Sequence, residues 1–220
     1  MRKSKGYDAL IQAENLDEIL TKLKKLEADT KVGRSSTDVI PIMLDQTIRR
    51  ALYKSKGGNE HGDTEIHWIR IMEGDIDYIG ETRCTITYKI RRKDMSSEYY
   101  SELRVESFDD AAELFELIGY VQTSYQENKR SKFVCVVDKV RYMVRFDVWP
   151  KLEDVIFVNV VCVSSASQED IDGFIKLLGL NQIDLAKEEA VADVDAEYQK
   201  RGYKPARFMP EVTFDSFKAE

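Results

Sequence analysis

The sequence predicts an α+β fold dominated by antiparallel strands, and three observations carry that prediction. First, Cys84 to Arg91 alternates strictly, with Thr85, Thr87, Lys89 and Arg91 on one face and Ile86, Tyr88 and Ile90 on the other. Second, Glu98 to Glu106 alternates again, setting Glu98, Tyr100, Glu102, Arg104 and Glu106 against Tyr99, Leu103 and Val105. Third, Lys132–Val137 and Arg141–Trp149 flank Asp138-Lys139 as the two arms of a hairpin. Such period-two patterns belong to strands with one polar and one apolar face. The polar rows are either the solvent side of an open sheet or the lining of a closed antiparallel barrel.

The elements follow in chain order. Gly6 to Ala13 reads as a first strand. Asn15 then caps a helix, with Glu18 placed as in a capping box and Leu16, Ile19, Leu20, Leu23 and Leu26 as its apolar stripe. Asp38 to Tyr53 reads as a second helix with Pro41 near its start and Ile42, Leu44, Ile48 and Leu52 buried. Lys54 to Asp63 is a glycine-rich connection that lacks the lysine-serine ending of a phosphate-cradling loop. Glu65 to Met72 is a strand, and Gly74 to Gly80 a turn. After the two alternating strands, Ser107 caps a helix from Phe108 to Ile118, with Asp109 and Asp110 well placed at its N-terminus and Gly119 at its end. Pro150 closes the hairpin. Asp154 to Val163 is the most apolar strand, and Ser167 and Gly179 bound a further helix. Residues 183–201 suggest an acidic helix. The tail from Gly202, with Pro205 and Pro210, is expected to be extended and docked through Phe208, Val212 and Phe214. The expected organisation is one main domain over 1–180, with a helical insertion at about 36–54, and a C-terminal helix and docking tail over 181–220 (boundaries approximate, as always from sequence).

At 220 residues with 43% hydrophobic content, the chain can bury a sizeable core. The apolar run Val155–Val163 is too short for a membrane span and is broken by Asn159. Cys84, Cys135 and Cys162 sit inside strand-like runs without zinc spacing. An odd count with no signal-type stretch after the basic start points to free thiols and a cytoplasmic setting. A net charge of −7 argues against sequence-independent nucleic-acid binding, yet leaves room for a local basic pocket. Aromatics interleaved with Lys and Arg could stack bases, but at strand spacing they fit a core better. His61 and His67 are too few for a histidine-rich metal site, and no serine–histidine or cysteine–histidine arrangement is evident.

The cations are more informative. Arg70, Lys89, Arg91, Arg104, Lys129, Arg130, Arg141 and Arg145 recur on strand faces. In the hairpin, Arg141, Met143, Arg145 and Asp147 oppose Tyr142, Val144, Phe146 and Val148. If the sheet closes, these cations converge inside, where guanidinium forks and ammonium charges suit a chain of phosphates. Otherwise each merely solvates the outside of its strand. The candidate phosphate-binding residues are Arg70, Lys89, Arg104, Lys129, Arg130, Arg141 and Arg145.

The order of several segments resembles the CYTH superfamily. They are Thr85–Lys89, the acidic strand from Glu98, the helix ending Leu114-Phe115-Glu116-Leu117-Ile118-Gly119-Tyr120, Lys129-Arg130 followed by Phe133, and Val144–Val148 with Asp147. The match spans about residues 65–163, and more loosely 7–28 (limits set by motif order). That superfamily groups class IV adenylate cyclases, thiamine triphosphatases and inorganic triphosphatases. The resemblance implies an eight-stranded antiparallel tunnel, triphosphate or polyphosphate bound by inward Arg and Lys, and Mg²⁺ or Mn²⁺ held by glutamates. The departures are equally specific. Where the family's first strand alternates glutamates and then has a lysine, this chain has Asp8 and then Gln12. Where the family has a glutamate pair after a phenylalanine, this chain has Phe157 followed by Asn159 and Val161. Of the remaining acids, Glu98, Glu102, Glu106 and Asp147 could supply a displaced metal site, Glu102 and Asp147 foremost. Without metal, a transferring phosphoryl group loses its main electrostatic stabiliser.

Two expectations follow. The chain binds a nucleoside triphosphate or polyphosphate, with weak or altered triphosphatase or cyclase activity at most. Alternatively it keeps the fold as a non-enzymatic structural subunit, meeting a protein assembly partner or further copies of itself.

Overall fold

The computed structural model describes residues 6–30, 37–55, 65–77, 80–92, 98–162, 168–180 and 194–218. The expected loop at 54–63 and the acidic stretch at 183–193 fall largely outside them. The hydrogen-bonded strand order is β1 (Gly6–Gln12), β8 (Val155–Cys162), β7 (Val140–Val148), β6 (Tyr120–Val137), β2 (Thr37–Ser55), β3 (Glu65–Ile76), β4 (Thr82–Arg92) and β5 (Glu98–Val105), with the short strand β9 (Glu211–Val212) joined to β6 and β10 (Phe217–Lys218) joined to β9. It is an antiparallel α+β architecture, as expected, but the order is a path with ends at β1 and β5 rather than a closed ring. The end strands are short, and β5 is richly charged, which discourages further pairing at a sheet edge.

The chain forms two compact units, residues 2–46 with 129–197 and residues 47–128 with 198–220. The long strands β2 (Thr37–Ser55) and β6 (Tyr120–Val137) pass from one unit to the other.

In the first unit, β1 (Gly6–Gln12) pairs with β8 (Val155–Cys162), β8 with β7 (Val140–Val148), and β7 with β6. One face of these strands is apolar. Ile11, Phe133, Cys135, Tyr142, Val144, Phe146, Ile156, Val158 and Val160 pack there against Ile19 and Leu23 of α1 (Leu16–Thr30) and Ile171, Phe174, Ile175 and Leu178 of α3 (Gln168–Leu178). Each such aliphatic or aromatic side chain contributes about 1.5–3 kcal/mol by leaving water. The Tyr142 and Phe174 rings stack at 4.1 Å, and the Tyr142 hydroxyl donates to the Asp170 carbonyl at 3.1 Å. The hairpin turns where it was expected, with φ of 50° at Asp138 and 70° at Lys139, the paired left-handed residues of a type I′ turn. Before α1 the chain makes a 3-10 turn, Ala13–Asn15, so the α-helix starts one residue after the expected cap.

In the second unit, β3 (Glu65–Ile76) pairs with β2 and with β4 (Thr82–Arg92), and β4 with β5 (Glu98–Val105). β3 runs on past the expected Gly74 turn through a bulge between Glu73 and Asp75. Helix α2 (Phe108–Leu117) covers one face, where Phe108, Ala111 and Phe115 meet Ala51, Tyr53, Ile71 and Cys84. Phe115 stacks on Tyr53 at 5.2 Å. Arg49 clamps the helix start. It reaches Glu73 at 2.6 Å and Asp109 at 3.2 Å, and lies 4.3 Å from the Phe108 ring centre. Ser107 Oγ accepts the Asp110 N–H at 3.1 Å, the predicted N-cap. Ser107→Ala is expected to cost about 1 kcal/mol in a urea titration, and Ser107→Thr far less.

Two expectations fail. Asp38–Tyr53 is not a helix but most of strand β2. Asp45 sits in it at φ 46° and breaks the alternation: Val39 and Met43 are buried before it, Ile48, Arg50, Ala51 and Tyr53 after it. In the tail, Phe208 is 64% exposed, whereas Met209 and Val212 are fully buried. There β9 (Glu211–Val212) pairs parallel with β6, and β10 (Phe217–Lys218) pairs with β9. The acidic helix is described only as α4 (Val194–Lys200), whose Tyr198 packs with Tyr203 and Phe217.

Candidate anion-binding faces

The strand register decides which charges share a face. In the first unit, Arg130 lies opposite Asp147, and Asp147 opposite Phe157; Lys132 lies opposite Arg145, Arg145 opposite Asn159, and Asn159 opposite Asp8. By alternation this is the sheet face turned away from the apolar core. It is nevertheless buried: Arg130 and Lys132 are each 4% exposed and Asp147 is 5%. Asp147 binds two guanidinium groups. Its Oδ1 lies 2.6 Å from Arg130 Nε, and its Oδ2 lies 2.9 Å from Arg130 Nη2 and 3.1 Å from Arg145 Nε. Across these rows the described side chains carry three cations, Arg130, Lys132 and Arg145, and the single carboxylate of Asp147.

The second unit has a polar face of its own. Its cross-strand rows are Arg50–Met72–Thr85–Arg104 and Leu52–Arg70–Thr87–Glu102. Thr85 and Thr87 are each 1% exposed, while Tyr88 on the opposite face is 37% exposed. The polar row of β4 is therefore buried, as is Cys84 on the opposite face beneath α2. Asp77 organises this face. Its Oδ2 accepts Arg83 Nε at 3.1 Å and Arg104 Nη2 at 3.0 Å, and its Oδ1 accepts the Glu81 N–H at 3.1 Å. Arg104 also reaches Glu81 at 3.1 Å, and Arg83 lies 3.8 Å from Glu102. The Thr87 hydroxyl donates to Glu102 at 3.4 Å. Nearby, Arg50 donates to Asn128 in a fully buried pair. Here acids answer Arg83 and Arg104.

The expected site residues divide accordingly. Arg130, Arg145 and Asp147 come together in the first unit. Lys129 does not join them. It alternates to the other face, is 43% exposed, and sits 3.7 Å from Asp45. Arg141 shares the Arg145 face but is exposed at the hairpin end, opposite Val136. Arg70, Arg104 and Glu102 belong to the second unit, where Arg104 is 55% exposed and committed to Asp77 and Glu81. Lys89 holds the register position between Trp68 and Tyr100, and its side chain lies outside the described residues. Sequence reasoning missed Lys132, Arg83 and Asp77. Counting two residues on from Arg130 in an alternating strand finds Lys132; nothing local marks Asp77.

The cysteines are free thiols, and Cys84 and Cys135 are buried. Burial pushes Cys135 up to about 12; burial, then the charge of Glu73, takes Cys84 to about 11. Both pKa values are raised by folding. Their contribution to stability is therefore complete below the unfolded thiol value near 9.0 and is lost as pH rises through 11 to 12. Iodoacetamide at pH 8 is expected to label Cys84 and Cys135 slowly in the native protein and rapidly in urea, as mass spectrometry of the labelled peptides would show.

A divalent metal of the magnesium type needs several oxygen ligands, mostly carboxylate or water. The described residues do not fit one. Both Asp147 oxygens are held by arginines, Glu102 is shared between Arg83 and Thr87, and Asn159 stands between Arg145 and Asp8. Among the described residues no three His, Cys, Asp or Glu side chains converge.

No protein-family model matches the sequence, and no curated protein is significantly similar to it. Solved structures do resemble it in fold. One is a candidate adenylate cyclase from Vibrio parahaemolyticus, at 10% identity and a TM-score of 0.49, covering 82% of this chain and 88% of that one. A Pyrococcus horikoshii protein has 15% identity and a TM-score of 0.46, covering 82% and 93%. A candidate adenylyl cyclase from Hippeastrum, described as having a dominant triphosphatase activity, has 10% identity and a TM-score of 0.43, covering 80% and 87%.

Proposed function

We propose that this protein binds a triphosphate or longer polyphosphate, free or as a nucleoside triphosphate, on the cationic strand face of its first unit. The observation that supports this most is the cross-strand grouping of buried Arg130 and Lys132 with half-buried Arg145 around Asp147. Arginine offers its forked donors to phosphate oxygens and lysine a point charge. The sequence resemblance to the CYTH superfamily points the same way. Turnover by hydrolysis or cyclisation is weak at most, because the described candidate carboxylates, Asp147 and Glu102, are engaged with arginines. The free thiols accord with a cytoplasmic setting, and among the described residues no helix is long and apolar enough to cross a membrane. Isothermal titration with tripolyphosphate, ATP and orthophosphate tests the reading. Binding by the first two and not the third is expected; no binding by any of them would overturn it.

A second reading, a structural subunit without ligand, draws on the second unit. There Asp77, Arg83, Arg104 and Glu81 neutralise one another, and Leu114, Leu117, Ile118 and Val121 are exposed together around the end of α2. Exposed apolar clusters of this kind mark contact surfaces. A monomer by light scattering that also binds tripolyphosphate would dismiss it.

A further inference from the structure

We infer that two copies of this protein pair edge to edge through β5, antiparallel, with Leu103 of one copy opposite Leu103 of the other. β5 ends the strand order, and among the described residues it pairs only with β4. Ser101, Glu102, Leu103 and Arg104 are all exposed, so this stretch of the strand is open on both faces. An edge of this kind presents a row of N–H and C=O groups that another strand can satisfy. The sequence of β5 selects that strand. A two-fold axis normal to the sheet keeps each face on its own side, so every residue meets one from the same face of the second copy. Centred on Leu103, this symmetry sets Glu102 of each copy opposite Arg104 of the other, which makes two opposite-charge pairs. Centred on Glu102 or on Arg104, it sets like charges opposite each other. Centred on Ser101, it leaves Glu102 without a cation, and centred on Val105 it runs past the end of the strand. The charge that discourages indiscriminate pairing at this edge is thus self-complementary about Leu103. Arg104 can serve both sides. It is 55% exposed, and it gives Nη1 to Glu81 and Nη2 to Asp77, which leaves part of its guanidinium fork to donate. Leu103 is served as well. It shares a face with Val105, which packs against the α2 cluster, yet is itself 64% exposed. A second Leu103 directly opposite takes part of that apolar surface out of water.

The contact lies wholly in the second unit and does not depend on polyphosphate binding. The test is light scattering on the full chain from dilute to concentrated solution. A dimer that dissociates on dilution, more readily at high salt, is expected. A monomer throughout would overturn the inference and leave the polyphosphate reading standing. Leu103→Lys sets two ammonium groups opposite each other at an exposed position, and is expected to be monomeric with native circular dichroism. A dimer that persists in this variant would overturn the inference. Leu103→Cys tests the register. Residues directly opposite in an antiparallel pair have Cα atoms about 4.5–5.5 Å apart, which is within disulfide reach. With copper phenanthroline as oxidant, Leu103→Cys is expected to run as a covalent dimer on a non-reducing gel. The parent, with its own cysteines, and Ser101→Cys are expected to run as monomers. Cross-linking through Ser101→Cys instead, or through neither variant, would overturn the inference.

Discussion

Asp147→Ala is expected to destabilise the protein by about 3–5 kcal/mol, because it leaves the Arg130 guanidinium buried with its charge uncompensated. Arg130 and Asp147 side chains are 4% and 7% exposed, and they form a two-pronged pair with a further contact to Arg145. Water cannot take over the lost contacts without entering the strand face. Replacing both partners by apolar residues, Arg130→Met with Asp147→Leu, is expected to cost less than the single change. Urea unfolding monitored by circular dichroism measures both. A loss of under about 1 kcal/mol for Asp147→Ala would mean that the pair behaves like a surface ion pair. The milder Asp147→Asn is informative in a second way: it raises the net positive charge of the face, and in its folded fraction it is expected to bind tripolyphosphate more tightly than the parent.

Lys132→Met should give the opposite pattern. It removes one of three neighbouring cations while keeping the length of the stem. The expected loss of binding is about 1.5–3 kcal/mol for a charge-assisted contact, which is on the order of tenfold or more in Kd. The melting temperature of the free protein should fall less than for Asp147→Ala, since methionine keeps the buried stem of Lys132. Calorimetry and thermal melts on the same preparation separate the two effects. A drop in melting temperature with unchanged affinity would assign Lys132 a structural role and remove it from the site.

The contrast between strands that could be read in the sequence and those that could not has a physical cause. The β6–β7 hairpin was legible because its turn residues and both alternating arms are local. The α2 helix was legible because Ser107 and Gly119 mark its two ends and the Ser107 cap is made as expected. Strand β2 was read as a helix because Asp45, at φ 46°, shifts the alternation in mid-strand. The apolar positions on its two sides then mimic helical spacing. On β4 the alternation was clear, but its sense depends on distant neighbours. Thr85 and Thr87 are buried, whereas Tyr88 is exposed. Polarity alone assigns threonine to solvent; only the register with Arg104 and Glu102 shows that they belong to a polar interior. At the candidate site, the cations were visible as alternating residues. Their division between Asp147 in one unit and Asp77 in the other was not, because it depends on cross-strand partners, Arg130 for Asp147 and Arg104 for Asp77.

The pairing of β1 with β8 also constrains how the chain reaches its native state. Gly6 meets Val161, and Gln12 meets Val155. During synthesis, at a ribosomal pace of about 5–20 residues per second, the β1 segment must wait on the order of ten seconds or more for its partner to be made. Throughout that interval Ile11, and Ile19 and Leu23 of the following helix, have no β8 surface to cover them. The loop that must close, from Gln12 to Val155, is about two-thirds of the chain, so local elements such as the β6–β7 hairpin form first and β1 adds late. A nascent chain of this design depends on something else, a chaperone or its own net charge, to keep its first segment from finding the wrong strand.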